Sequence, residues 1–491
     1  MTGPNGSQMQ AGPPPAKRIM VVYGTRPEAI KLAPVIRTIH ASPLLTPVVT
    51  LTGQHQAMVD QVNGMFGVRP DHNLDVIRPG QSLDGLTSRV LQRLTQTLRK
   101  ERPDAVVVQG DTTSAFAGAL AAFYEHIPVV HVEAGLRTGD IYSPFPEEAN
   151  RRLTSEIATL HLAPTRISED NLLREGIPAQ NILVTGNTGI DALLWTVRQR
   201  VPYGNHALEA VDASEAPVLL VTTHRRESWG RRMQGVANAV ARLARTYPHL
   251  VVVLPVHPNP VVRQALTPAL RGQANVMMVE PMSYGAFARL LLRSKIVLTD
   301  SGGVQEEAPS LGKPVLVLRD TTERPEGISG GTARLVGTDP DRVYAEVDHL
   351  LTNAQSYRAM ANAVNPYGDG RAAERTAGAI EHMFGLSAQP TPFGSVSLLT
   401  QSLSARPRTD NMGVHQLDPD GLFGDTPCHV RDAGVERVDD LWRGRASPSY
   451  RPQNGDCHVD AAQAVAGGPR AHRAGGAGVV PEGEYGDADP R

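Results

Sequence analysis

The run Asp300-Ser301-Gly302-Gly303-Val304-Gln305-Glu306-Glu307-Ala308 follows an apolar stretch, Lys295 to Thr299, and reads as the start of a helix. Unpaired backbone N–H groups and the positive end of such a helix would face whatever lies beyond the strand, which makes a seat for phosphate. Two adjacent glycines let an anion approach the backbone closely, and the carboxylates one turn later can accept hydrogen bonds from sugar hydroxyls. An ordinary tight turn would use the same Ser-Gly-Gly, so partners elsewhere in the chain decide between the two readings.

A second anion site is expected at Gly24-Thr25-Arg26-Pro27-Glu28-Ala29-Ile30-Lys31, directly after the apolar run Arg18 to Tyr23. Thr25 and Glu28 have capping-box spacing and Pro27 suits a first helical turn, so Glu28 is read as structural. Capping does not need Arg26 or Lys31. A fork donor and an ammonium at a helix start are what a diphosphate or a carboxylate requires.

Three carboxylates come next. Asp111, in Gln109-Gly-Asp-Thr-Thr-Ser114, and Glu133, in His131-Val-Glu-Ala-Gly-Leu-Arg137, each end an apolar run, and adjacent parallel strands would bring them side by side. Glu147 opens a helical segment in Pro144-Phe-Pro-Glu-Glu-Ala-Asn-Arg151. N-capping by Asp111 and dipole compensation by Glu147 and Glu148 are the plainer readings. Clustered carboxylates raise one another's pKa and place proton donors and acceptors on more than one side of a substrate. His224 stands between Thr223 and two arginines at another strand end, where an imidazole can bond a phosphate or protonate a leaving group. His257, between Val256 and Pro258, is read as structural.

These residues need a frame. Runs at Arg18–Tyr23, Val48–Leu51, Ala105–Val108 and Pro128–Val132 each precede a helical segment, the signature of βαβ units and a parallel sheet. A second series follows at Val218–Thr222, Leu250–Leu254, Val276–Val279, Ile296–Leu298 and Val315–Leu318. The fold class is therefore α/β, with two doubly wound Rossmann-like lobes facing each other across a cleft at their strand carboxyl ends. The expected organisation is a tail over 1–17, a first lobe over 18–196, a nucleotide-binding lobe over 197–370, a helix over 371–386 that crosses back, and a second tail over 387–491. The tails are expected to be disordered because they lack both apolar periods.

A net charge of −2 and a pI near 6.8 give no basic field for nucleic acid. No apolar run reaches the ~20 residues of a spanning helix, so neither membrane nor export is expected and the cytoplasm is the default. Both cysteines, Cys428 and Cys457, lie in the last segment, which leaves no thiol or Cys-based zinc chemistry for the lobes. No Gly-x-Gly-x-x-Gly follows a strand, so no bound NAD is expected, and no metal pattern is present.

The combination of Gly24–Lys31, Thr52-Gly-Gln-His55, Gln109–Ser114, His131–Arg137, Pro144–Arg151, Thr223–Glu227, Asp300–Ala308 and Thr322-Glu-Arg-Pro-Glu326 strongly resembles the non-hydrolysing UDP-N-acetylglucosamine 2-epimerases over about residues 18–386. The resemblance implies a GT-B fold, with Asn365-Pro-Tyr-Gly-Asp-Gly370 leading into the returning helix. It implies that Arg26, Lys31, Asp111, Glu133, Glu147 and His224 line sugar and diphosphate, and that Phe287, Ser301, Gly302, Gly303, Glu307 and Arg324 hold the nucleotide. The implied reaction interconverts UDP-GlcNAc and UDP-ManNAc without a cofactor, supplying precursors of cell-surface polysaccharide. A homodimer is implied as well, with a second UDP-GlcNAc acting as an allosteric activator near Gln54 and His55. A hydrolysing epimerase and a GT-B glycosyltransferase using a UDP-sugar are the alternatives.

Overall fold

The computed structural model describes residues 15–395, apart from 55 and 79. The first lobe is a seven-stranded parallel sheet: β1 (Lys17–Tyr23), β2 (Leu45–Leu51), β3 (His72–Asn73), β4 (Ala105–Gln109), β5 (Val129–Val132), β6 (Leu160–Ala163) and β7 (Ile182–Val184), in the order β3-β2-β1-β4-β5-β6-β7. The second lobe is a six-stranded parallel sheet: β8 (Val218–Thr222), β9 (Val251–Pro255), β10 (Val276–Val279), β11 (Ile296–Thr299), β12 (Val315–Val317) and β13 (Ala333–Leu335), in the order β10-β9-β8-β11-β12-β13. Helices cover both faces of each sheet, so the strands are apolar on both sides; Ile19 to Tyr23 are fully buried.

In both lobes the strand order reverses between the first strand and its β4 or β11 neighbour. Connections at that point leave toward opposite faces, which opens a crevice at the carboxyl ends. The Gly24–Arg26 turn leaves β1 and the Gly110–Thr112 turn leaves β4; His224 follows β8 and Asp300 follows β11. Arg26, Asp111, His224 and Ser301 thus follow the strands at the two switch points, and Glu133 follows β5, one strand further along.

The helix Ala372–Met383 returns to the first lobe, where Ala373, Ala377, Ala379 and Ile380 pack in one core with Ile30, Ala33 and Ile36 of the helix Arg26–Ala41. Asp191 accepts hydrogen bonds from Ala372 N at 3.2 Å and Ala373 N at 2.8 Å, tying down its first turn. Between the lobes, the segment of weakened periodicity holds the short helix His206–Asp212, which Arg289 clamps through Glu209 at 3.0 Å and Asp212 at 2.7 Å.

Two expected boundaries move. Lys17, assigned above to the N-terminal tail, starts β1 and pairs with Asp104 at 2.9 Å. The packed chain also runs past 386. Phe393 N donates to Val184 O at 2.7 Å, its ring packs on the Ala163 and Val184 cluster, and the Arg375 guanidinium lies 5.6 Å from its centroid. The remainder of both expected tails, with Cys428 and Cys457, falls outside the described residues.

Candidate active site

Gly24 has to be glycine. A Cβ there would stand 1.9 Å from Thr52 Oγ1 and 2.8 Å from Ser114 Oγ, two hydroxyls that bond each other at 3.0 Å. The next residues start the helix Arg26–Ala41, and Glu28 accepts from Gly24 N at 2.9 Å and Thr25 N at 2.7 Å, the structural role expected of it. Its other oxygen accepts from Thr112 Oγ1 at 2.5 Å. One buried carboxylate therefore fixes the β1 and β4 exits to each other. Thr112, and not Asp111, caps the helix Thr113–Tyr124, accepting from Ala115 N at 3.0 Å. Asp111 is thereby free of that duty.

Asp111 instead meets Arg151 at 2.5 Å, while Asn150 Nδ2 donates to its backbone oxygen at 2.9 Å. Burial pushes its carboxyl above the usual range; Arg151 opposes that, and the neighbouring Glu133 charge adds to it. Glu133, on the adjacent strand exit, has φ +63°, a left-handed backbone rare outside glycine. Lys31 Nζ grips both its oxygens at 2.5 and 2.7 Å, and Gln109 Nε2 donates to Oε2. Burial alone would lower the Lys31 ammonium, yet Glu133 and Glu306 hold it above its ordinary value. Behind them, His131 Nε2 bonds Gly110 O at 2.7 Å and holds the turn that carries Asp111. Glu147 is half-buried at the first position of the helix Glu147–Ile157, the helix whose Asn150 and Arg151 hold Asp111. Arg26 is exposed at the first position of its own helix.

Across the cleft, Ser301 precedes the helix Gly302–Glu307, which is only six residues long. An anion seated there would be held by local N–H groups more than by a macrodipole. A Cβ on Gly302 would lie 2.6 Å from Arg324 Cζ, so the guanidinium rests directly on that turn. Arg324 Nε bonds Glu306 Oε1 at 2.6 Å, and Glu306 Oε2 accepts from Asn187 Nδ2 of the first lobe at 2.7 Å. Burial disfavours the Arg324 charge, but Glu306 and, further off, Glu133 raise it. Thr322 Oγ1 donates to Gln305 Oε1 at 2.8 Å, fastening the Arg324 loop to the glycine turn. Glu307 has its carboxyl pushed up to about 8 by burial, with Glu306 adding; Tyr284 OH donates to it at 3.4 Å. Phe287, on the helix Tyr284–Arg293, is half-buried against the second-lobe core.

His224 is half-exposed, with Nδ1 3.2 Å from Asp300 Oδ1. The His257 ring stacks beside it at 6.0 Å and 14°, while its Nδ1 accepts from Asn259 N at 3.1 Å. Asp300, Gln109 and Arg151 belong to quoted motifs, but sequence reasoning gave them no role; Glu306, expected with Glu307 to accept from sugar hydroxyls, has its oxygens on Arg324 and Asn187. Among the described residues no group of three or more His, Cys, Asp or Glu could hold a metal ion, and no helix is long and apolar enough to cross a membrane.

Comparison with known proteins agrees with the two-lobed fold. The family profile of UDP-N-acetylglucosamine 2-epimerase matches residues 37–381. The UDP-N-acetylglucosamine 2-epimerase of Escherichia coli K12 is 48% identical over 371 residues, 74% of this chain and 98% of that protein. The crystal structure of UDP-GlcNAc 2-epimerase from Neisseria meningitidis bound to UDP-GlcNAc is 44% identical, with a TM-score of 0.67 over 75% of this chain and 100% of that one. The S. aureus MnaA–UDP co-structure is 41% identical, with a TM-score of 0.70 over 77% and 100%. With two switch-point lobes and a match spanning nearly the whole of these relatives, the chain belongs to the UDP-N-acetylglucosamine 2-epimerase family of isomerases.

Proposed function

We propose that the protein inverts C2 of UDP-GlcNAc to give UDP-ManNAc, and the reverse, by eliminating and re-adding UDP without hydrolysis. The observation that carries this reading is the pair of carboxylates at the exits of the adjacent strands β4 and β5, Asp111 held by Arg151 and Glu133 by Lys31, with the Glu133 charge felt by Arg324 of the other lobe.

A C2–H beside an acetamido group is not acidic, so the C1–O bond must break first or nearly so. Oxocarbenium character at C1 acidifies C2–H, a carboxylate takes that proton, and the C1–C2 double bond of a 2-acetamidoglucal forms as UDP departs. Protonation at C2 from the opposite face, with the UDP oxygen returning to C1, completes the inversion. Two faces need two acid/base groups, which Asp111, Glu133 and Glu147 supply. The leaving diphosphate gathers negative charge, which Arg26, His224 and the N–H groups at Ser301 to Gly303 stabilise. Glu307 and Arg324 hold the nucleotide, with Phe287 beside it, and Lys31, on both oxygens of Glu133, holds that carboxylate in place. Lobe closure shields the glucal from water.

Incubation with UDP-GlcNAc in D2O, followed by NMR at the sugar C2, tests the route. UDP-ManNAc should appear with deuterium at C2 and no added NAD; retention of the original hydrogen would exclude elimination. Free N-acetylmannosamine with UDP would instead select the hydrolysing alternative. The homodimer and the activating second UDP-GlcNAc belong to the same proposal; sedimentation and substrate-saturation curves test them, as fractionation tests a cytoplasmic location.

A further inference from the structure

We propose that Asp300 is a positioning residue that fixes the ring orientation and tautomer of His224. This rests on the reading of His224 as a group facing the diphosphate. Asp300 is fully buried at the exit of β11. Its Oδ2 accepts from Thr223 Oγ1 at 3.0 Å, His224 N at 2.8 Å and Arg225 N at 2.9 Å, and Arg225 Nε donates to its backbone oxygen at 3.0 Å. The loop leaving β8 is therefore wrapped around one carboxylate. Three donors already occupy Oδ2. Oδ1 is buried without a hydrogen-bond partner of its own, and His224 Nδ1 stands 3.2 Å from it.

An ionised carboxylate can only accept, so the nitrogen facing it must carry a proton. Neutral His224 is then the Nδ1–H tautomer, which leaves Nε2, on the opposite side of the half-exposed ring, as the nitrogen available to a ligand. When that nitrogen is protonated, it donates to the departing diphosphate while Asp300 balances the imidazolium charge. Without the carboxylate the ring could rotate, or hold its proton on Nε2 with Nδ1 unprotonated. Either change would misplace the donor by a few ångströms, a large error for electrostatic stabilisation of a leaving group.

Asp300→Asn keeps an acceptor oxygen for the β8 loop but places an amide N–H₂ against Nδ1, which forces the other tautomer. Nitrogen-15 NMR of the imidazole should show Nδ1–H for neutral His224 in the wild-type protein and Nε2–H in the variant. The variant should lose about 10²- to 10⁴-fold in kcat and keep its UDP Kd within about threefold. In a His224→Asn background, Asp300→Asn should cost little more, whereas a merely structural Asp300 would add its full loss. An Nε2–H tautomer in the wild type, or additive losses in the double variant, overturns the proposal. If Asp300→Asn does not fold, the wild-type tautomer decides. The tautomer also stands as a test if the wild-type protein fails to epimerise UDP-GlcNAc, so the two readings fail separately.

Discussion

Glu133 combines a left-handed backbone with an ammonium on both its oxygens, a conformation that costs of order 1 kcal/mol and persists only where the surroundings impose it. Glu133→Gln keeps the backbone and the shape but removes the charge, as Asp111→Asn and Glu147→Gln do at their positions. Each should lower kcat by roughly 10²- to 10⁴-fold and leave UDP binding nearly unchanged. Arg324→Ala should do the reverse, weakening UDP by about tenfold or more because a charge-assisted donor is lost from the glycine turn. Isothermal titration with UDP beside steady-state kinetics separates the two patterns, and carboxylate variants that lose UDP affinity while keeping kcat would invert these roles. At this scale the sequence was readable where a residue ends a β-branched run, as Asp111 and Glu133 do. Glu306 and Glu307 are adjacent and chemically alike; which one meets Arg324 depends on helix phase and on a loop 18 residues away. Asp300 drew no role of its own from the sequence because its bonds go to residues 75 to 77 positions earlier.

Elements were legible in proportion to how far a pattern ran. The longer apolar runs of β1, β8 and β9 declare themselves, but β3 is two residues, β7 and β13 three each, and β6 carries a histidine at its second position. Such strands exist because neighbouring strands supply a paired edge, which is non-local information. The segment after Phe384 failed for a related reason. Its one aromatic anchor, Phe393, stands among Pro, Gly and Ser, and its partners are on β7 and at Arg375. Burying part of that ring contributes ~1–2 kcal/mol. Ending the chain after Ser395 should therefore leave the melting temperature unchanged, whereas ending it after Gly385 should lower it by about 2–5 °C. Phe393→Ala in the full chain should reproduce most of that drop in a calorimetric scan. An unchanged melting temperature in both would show that the contact contributes nothing to stability.

At the scale of the molecule, the lobes meet through polar contacts, Asn187 on Glu306, Thr165 Oγ1 on Glu326 at 2.7 Å and Asn187 N on Tyr367 O at 2.7 Å, and through apolar packing of Leu193 in the second-lobe core and Tyr284 against the first. The first lobe's own cohesion carries a pH signature. His131 and His161 are paired across β5 and β6, and burial depresses them from 6.5 to about 3 and about 4. Both pKa values are lower in the folded state, so their contribution is fully present above pH 6.5. It is lost as pH falls toward 4, because the unfolded chain takes up protons that the folded chain refuses. Burial moves Asp191 and Glu307 the other way, to about 6 and about 8, so protonation of these carboxyls favours the folded state and masks part of the histidine effect in the wild-type curve. The difference between proteins removes that masking. A His131→Asn, His161→Gln variant, less stable than wild type at pH 7, should recover relative to it on acidification, by up to about 1.4 kcal/mol per pH unit for each histidine. Urea unfolding of both proteins at intervals between pH 7 and 4.5 measures this directly. Parallel stability curves would mean that the two imidazoles are protonated in the folded state after all, and that β5 and β6 tolerate charge at their core.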